Sequence, residues 1–200
     1  MGKKRLKFRG TGKFPAVILF LCGFLLGTLL PNVLWRMEWQ QKTMASVYLL
    51  SAFAGRGVSG REFFLEVLRM RGSYFLLSVL CGFSVFGVPL AVVGILLLGG
   101  EIGALLTMSI LQFGLAGGAV GLGLLLPQYL IYLPVTMYVM ALVYEQSLDI
   151  WRNHGIFPQK ASNYTLRACG AAVVYFAGIL LETYLNPWVV ENILGRLKFF

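Results

Sequence analysis

The sequence predicts an all-α integral membrane protein: a bundle of about five transmembrane helices in one membrane domain that covers residues 1–200. Of the 200 residues, 58% are hydrophobic and 12% are charged, whereas a soluble domain is about half apolar and a quarter charged. The charged residues leave long uncharged runs between them, and roughly 20 apolar residues are enough for a helix to cross a bilayer. This composition leaves no room for a separate soluble domain.

The first span is predicted at 14–35, where 22 uncharged residues separate Lys13 from Arg36. At 1.5 Å rise per residue this run is about 33 Å long, which is longer than the apolar core of a signal peptide. A basic cluster precedes it and favours a cytoplasmic anchor facing anionic headgroups over a nucleic-acid-binding arm. The cluster comprises Lys3, Lys4, Arg5, Lys7, Arg9 and Lys13.

The second, third and fourth spans are predicted at 73–98, 101–116 and 119–144. The second contains Pro89 and occupies a run of 29 uncharged residues, and the other two share a run of 43 that is too long for one crossing. The glycines of FGLAGGAVGLG provide a turn between the third and fourth spans. Glu101, in LGGEIG, is expected at a tight inner turn between the second and third.

The fifth span is predicted at 166–186, with Glu182 near its outer end. Basic residues are almost evenly divided in this arrangement, nine inside and eight outside, so the N-terminal cluster decides for an inner N-terminus and an outer C-terminus. The segment 36–72 is then the one sizeable outer region. Its part REFFLEVLRMRG predicts either an amphipathic helix in the interface or an N-terminal extension of the second span.

Two features predict helix packing inside the membrane. Gly23 and Gly27 form a small-residue strip where helices approach closely, and packing within this chain is favoured over packing against a partner. Pro127 and Pro134 lie about two helical turns apart, so they predict a kinked helix packed inside protein. Gln128 is expected to bond the carbonyls that the prolines free, or to bridge to another helix.

Enzyme chemistry has little support in the sequence. The single histidine, His154, and the single aspartate, Asp149, fall in a predicted inner loop. The three cysteines form no C-x-x-C pair, and no metal-ligand spacing or nucleotide-binding motif occurs. We therefore expect no catalytic residue, no metal, no cofactor and no nucleic-acid partner. Glu182 is interpreted as a carboxylate near the headgroups, the alternative being a proton or ion site of a transporter.

The segment LLPQYLIYLP, 125–134, resembles the signature of the stage II sporulation protein M family, whose proline, glutamine and second proline correspond to Pro127, Gln128 and Pro134. FLCGFLLGTLL is similar to the family's first span, and FSVFGVPLAVVGILLLGGEIGALLT to its second and third. SNYTLRACG and LETYLNPW resemble the approach to the last span and its end. These matches follow the family's order from about Phe20 to Trp188.

The resemblance implies a five-span scaffold without activity of its own. Such a protein lies in the mother-cell membrane of the sporulation septum and acts in engulfment. There it localises a peptidoglycan-degrading complex with stage II sporulation proteins D and P, which supply the hydrolytic activity. The resemblance carries over no catalytic residue. A small membrane transporter or permease subunit is the alternative function.

Overall fold

The computed structural model describes residues 14–34, 60–152 and 161–185, which fold into five helices without a sheet. The helices are α1 (Ala16–Leu34), α2 (Gly60–Cys81) and α5 (Ala161–Leu180), with α3 (87–113) and α4 (115–152) joined end to end at Gly114 within one helical element, Gly87–Arg152. A π-helical turn, Leu181–Leu185, continues α5. The predicted basic arm, the outer residues 36–59 and His154 lie outside the described residues.

Three of the described helices are long and apolar enough to cross a membrane. The candidate spans are Ala16–Val33, Gly87–Leu111 and Ala161–Leu185. Large apolar side chains are exposed along these helices, for example Leu29 on α1, Leu97 on α3 and Val173 on α5. The chain is therefore an all-α membrane protein, as its composition predicts.

Contacts between residue pairs show that successive helices alternate in direction, so that α1 and α3, which are direct neighbours, run the same way. Gly23 lies against Leu96 and Gly27 against Gly100, so α1 and α3 are parallel. The pairs Gly87–Ser147 and Gly94–Met140 show that α3 is antiparallel to α4. The pairs Arg71–Glu182 and Val79–Tyr164 show that α2 is antiparallel to α5. Arg71 also lies near Glu101, and with the turn that joins Cys81 to Gly87 this contact shows that α2 is antiparallel to α3.

The predicted second span at 73–98 is wrong, because the helix ends at Cys81 and a new one begins at Gly87. Backbone N–H groups of residues 82–84 bond carbonyls three positions back, at 3.0 to 3.1 Å, and so form a tight turn. Pro89 is the third residue of α3. In the first turn of a helix proline's missing N–H would have no intrahelical partner, so Pro89 starts a helix rather than kinking one.

Side chains from α4 and α5 stabilise this turn. The Ser147 hydroxyl lies 3.3 Å from the Cys81 carbonyl oxygen and 3.4 Å from that of Gly82, and the Tyr164 hydroxyl donates to the Val79 carbonyl at 2.7 Å. The last carbonyls of a helix have no intrahelical partner. These two hydroxyls therefore satisfy the end of α2, which lies inside the bundle.

The predicted turn at Gly99–Glu101 is also wrong, because α3 runs through these residues without a break. A Cβ on Gly99 would meet the Phe20 carbonyl, and one on Gly103 would meet the Phe24 carbonyl. The glycines of this segment thus allow the backbone of α1 to lie directly on α3. A chain reversal does occur within the glycine-rich segment predicted for it, at Gly114, with φ 67° and ψ −155°.

The segment REFFLEVLRMRG fits the interpretation as an N-terminal extension of a longer helix, since residues 60–81 form one continuous helix. Its predicted apolar face points into the bundle. Val67 is buried, and Phe63, Phe64 and Leu68 pack against a cluster that includes Ile179 of α5. Because this face is covered by protein, α2 packs as a bundle helix along its whole length.

Candidate functional site: a charged cluster between four helices

Arg71 and Glu182 form a two-point ion pair inside the bundle. Arg71 Nε donates to Glu182 Oε2 at 3.3 Å and Arg71 Nη2 donates to Oε1 at 3.2 Å. The two side chains are 25% and 14% exposed. Charged hydrogen bonds of this paired kind are stronger and more directional than neutral ones. The pair joins α2 to the π-helical turn after α5.

Tyr132 of α4 extends the pair into a third helix. Its hydroxyl donates to Glu182 Oε2 at 2.8 Å, and the Arg71 guanidinium carbon lies 5.4 Å from the centre of its ring. Glu182 therefore accepts three hydrogen bonds from the protein. π-helical turns often occur at functional positions in helices, and here the turn carries Glu182.

Glu101 of α3 is the fourth member of the cluster. Its Oε1 lies 3.9 Å from Arg71 Nη1, and its side chain is 52% exposed. The Tyr129 hydroxyl interacts electrostatically with both Glu101 and Arg71. Two carboxylates thus share one guanidinium, and Glu182 takes the better geometry. With all three groups ionised, the cluster carries one negative charge in excess.

The cluster holds helices together, and Glu101 is its more exposed carboxylate. Breaking a buried ion pair costs about 3–5 kcal/mol, because the remaining charge loses its partner. Within the described ranges, no group of three or more His, Cys, Asp or Glu side chains is arranged to hold a metal ion. The contacts observed in the cluster are hydrogen bonds and charge pairs.

The structure places the predicted Gly23 and Gly27 strip on the face of α1 that contacts α3. A Cβ on Gly23 would collide with the Leu96 carbonyl, and one on Gly27 with the Gly100 carbonyl. The strip thus packs within the chain. It does not touch Arg71 or Glu182, so it belongs to the framework around the cluster.

The predicted proline and glutamine site lies in α4, where the backbone remains helical through 127 and 134. Gln128 is buried, and its Oε1 has no hydrogen-bond partner among the residues that the structure describes. The Oε1 atom of Gln128 therefore takes no part in the expected bridge to another helix. Pro134 is exposed, although Tyr132 and Val135 beside it are buried, so α4 packs inside protein here with Pro134 facing outward. Pro89 is exposed too and lies away from the cluster.

Sequence reasoning identified Glu182 but missed Arg71, Tyr129 and Tyr132. Arg71 falls in the predicted outer segment 36–72, although it directly borders the run of 29 uncharged residues. A carboxylate inside an apolar span requires a cation or hydrogen-bond donors. That requirement points to Arg71 and to the two tyrosines of QYLIYLP as candidate partners.

No protein-family model matches this chain, and neither a curated protein nor a solved structure matches it.

Proposed function

We propose that this protein is a non-enzymatic membrane scaffold. The observation that carries the proposal is the cluster of Arg71, Glu182 and Tyr132, in which charged groups from three helices bond one another. Charged groups used in this way fix the relative positions of helices. A fixed bundle with an apolar surface is suited to holding partners in a membrane.

The proposed topology has all five helices crossing the bilayer. The alternating directions of α1 to α5 support it, and the spans become α1, α2, α3, α4 and α5 with its π-helical turn. Phe14 contacts Tyr144, with ring centres 4.6 Å apart, so α1 begins at the end of the bundle where α4 ends. Tyr164 and Ser147 both bond the end of α2, so α5 begins at the same end. If this end is the inner one, Arg152 and Arg167 lie on the inner side, in line with the positive-inside rule.

The cellular role that we propose is engulfment during sporulation. It rests on the resemblance of LLPQYLIYLP and the other ordered segments to the stage II sporulation protein M family. In this role the protein lies in the septal and engulfing membrane. It localises a peptidoglycan-remodelling complex with stage II sporulation proteins D and P, and those partners carry out the hydrolysis.

Microscopy of sporulating cells with a membrane dye tests this role. In cells that lack the chain, we expect the septum to form and its membrane to stop migrating around the forespore. Complementation with Arg71→Met should fail, while Arg69→Met, which changes an exposed arginine two residues away, should restore migration. Engulfment that completes normally without the chain would overturn the sporulation role.

Transport through Glu182, the alternative function, has weaker support. The Glu182 carboxylate already accepts three hydrogen bonds from Arg71 and Tyr132, which favours a structural role over a site that repeatedly binds and releases an ion. Proteoliposomes would decide between the two. An ion or proton flux that is present in the wild type and lost in Glu182→Gln would favour the transporter.

A further inference from the structure

The outward face of α2 carries a stripe of exposed side chains that follows a seven-residue repeat. Its spacing alternates between four and three residues along most of the helix, as the a and d positions of a coiled coil do. The members of this α2 stripe are Glu62, Glu66, Arg69, Ser73, Leu76 and Leu80, and all six are exposed. A stripe with this period follows one side of a helix and is suited to packing against the same stripe of a second helix.

A shallow groove of about 360 Å³ lies along the second half of the α2 stripe. It is lined by Ser73, Tyr74, Leu76, Leu77 and Leu80, all from α2. Ser73 is small, and small residues let a neighbouring helix approach closely. The groove therefore has the character of a hole that a side chain of a facing helix fills, as in coiled-coil packing.

The first half of the α2 stripe is charged although it lies at membrane depth. Arg71 of the same helix reaches Glu101, which belongs to the candidate span Gly87–Leu111 and lies about 15 Å along the axis from its end. Because α2 is antiparallel to α3, Arg69 and Glu66 lie about 3 Å and 7.5 Å from Arg71 towards that end, and so within the span. Charged side chains at this depth are costly when they face lipid.

Glu66 and Arg69 carry opposite charges that the chain itself leaves unpaired. Within the residues that the structure describes, both ion pairs belong to Arg71 and neither involves Glu66 or Arg69. In a parallel pair of coiled helices, an a-position side chain packs among residues of the facing helix that include a d position. Glu66 would occupy a and Arg69 would occupy d, so the carboxylate of each copy would meet the guanidinium of the other.

We propose that two copies of this chain associate in the membrane through the α2 stripe, with their α2 helices parallel and related by a two-fold axis. Two Glu66–Arg69 ion pairs join the copies in the first half of α2, and Leu76 and Leu80 pack against their counterparts in the second half. A two-fold contact of this kind is closed, so association ends at the dimer. The inference rests on the proposed topology, in which α2 crosses the bilayer, and gives the proposed scaffold two bundles.

Disulfide crosslinking of single-cysteine variants locates the contact. The full chain, with its three native cysteines changed to alanine, is reconstituted in phosphatidylcholine vesicles and treated with an oxidant. Leu76→Cys and Leu80→Cys should form disulfide-linked dimers. Tyr74→Cys is the matched control and should not, because Tyr74 is similarly exposed, at 67% against 58% for Leu76, but lies about 160° away from Leu76 around the helix. Equal crosslinking at 74 and 76, or none at 76 and 80, would overturn the proposal.

Exchange of charges tests the ion pairs. Donor-labelled and acceptor-labelled copies in the same vesicles report association by fluorescence transfer. Arg69→Glu alone and Glu66→Arg alone should each associate about tenfold more weakly than the wild type, a ratio within the range of polar contacts between membrane helices. Glu145→Gln, which changes an exposed carboxylate of α4, should associate as the wild type does.

A mixture of the two charge variants separates the contact from an effect on folding. When Arg69→Glu copies meet Glu66→Arg copies, every carboxylate again faces an arginine, so association should return to the wild-type level. Misfolded variants would not recover on mixing. Absence of recovery, or wild-type transfer no greater than random mixing gives, would overturn the proposal. Because both experiments use vesicles, the dimer can be found or excluded whatever the engulfment test shows.

Discussion

The Arg71 guanidinium donates two hydrogen bonds to the Glu182 carboxylate, at 3.3 and 3.2 Å, across 111 positions of the chain. The helices α2 and α5 that the pair connects are not neighbours in sequence. The pair therefore fixes the registry of two helices that no short loop constrains. Removal of either partner leaves a charge without its main contact inside the bundle.

Arg71→Met should destabilise the fold by about 3–5 kcal/mol, because Glu182 and Glu101 then lose their shared cation. The double variant Arg71→Met, Glu182→Met should be closer to the wild type, since both members of the pair become apolar. Thermal unfolding of the two single variants and the double variant in detergent micelles forms a double-mutant cycle. Additive effects of the two single changes would show that the pair is not coupled.

Tyr132→Phe should cost about 1–2 kcal/mol, because it removes one hydrogen bond to the Glu182 carboxylate and retains the ring. Tyr138→Phe is the matched control, since Tyr138 lies on the same helix and is 48% exposed. The two unfolding temperatures can be compared under one detergent condition. An equal effect of both changes would argue against a specific role for the Tyr132 hydroxyl.

Gly27→Ala should cost about 1–3 kcal/mol, because the added methyl group collides with the Gly100 carbonyl and forces α1 away from α3. Gly170→Ala, where a Cβ meets nothing within 4 Å, should be neutral or stabilising by up to about 1 kcal/mol through helix propensity. Hydrogen exchange measures the separation of α1 from α3, because α1 amides should be less protected when the two helices move apart. Unchanged protection in Gly27→Ala would show that the close approach is unimportant.

Gly114→Ala should cost about 1–3 kcal/mol, because its φ of 67° and ψ of −155° are accessible to glycine and strained for other residues. Gly118→Ala, in helical backbone with Ile110 at ordinary contact distance of 3.4 Å, is the comparison. Calorimetry in micelles measures both. A larger loss in Gly118→Ala would place the strained reversal elsewhere.

Gln128→Leu should leave stability unchanged or raise it by about 1 kcal/mol, since the buried Oε1 lacks a partner in the described part of the chain. If the variant unfolds at a lower temperature than the wild type, the amide makes a contact that stabilises the bundle. Activity in engulfment, measured in parallel, would separate a functional need for the amide from a structural one.

The sequence could predict the class of the protein and the presence of apolar helices, because both depend on composition and on the length of uncharged runs. Helix boundaries were less predictable, since a glycine can mark a turn or a close contact. Gly99 and Gly103 are contacts, whereas Gly114 is the chain reversal. Both kinds of glycine lie in similar glycine-rich, apolar segments, and only the position of a neighbouring helix distinguishes a contact from a chain reversal.

The candidate site was predictable only in part. Glu182 could be identified because a carboxylate in an apolar run is costly. The partners of Glu182 could not be identified, since Arg71 and Tyr132 belong to other helices. Their contacts with Glu182 depend on how those helices are rotated and shifted relative to one another. The resemblance to a sporulation family adds a proposed role but contains no information on this packing.

The parallel contact between α1 and α3 has a consequence for biogenesis. The glycine face of α1 enters the bilayer before α3 has been synthesised, so during translation that face can contact only lipid, insertion factors or other proteins. A nascent chain that stops before Gly87 would leave it uncovered. Quality-control proteases that recognise solitary helices would then be expected to remove truncated products, whereas completion of α3 would protect α1 from them.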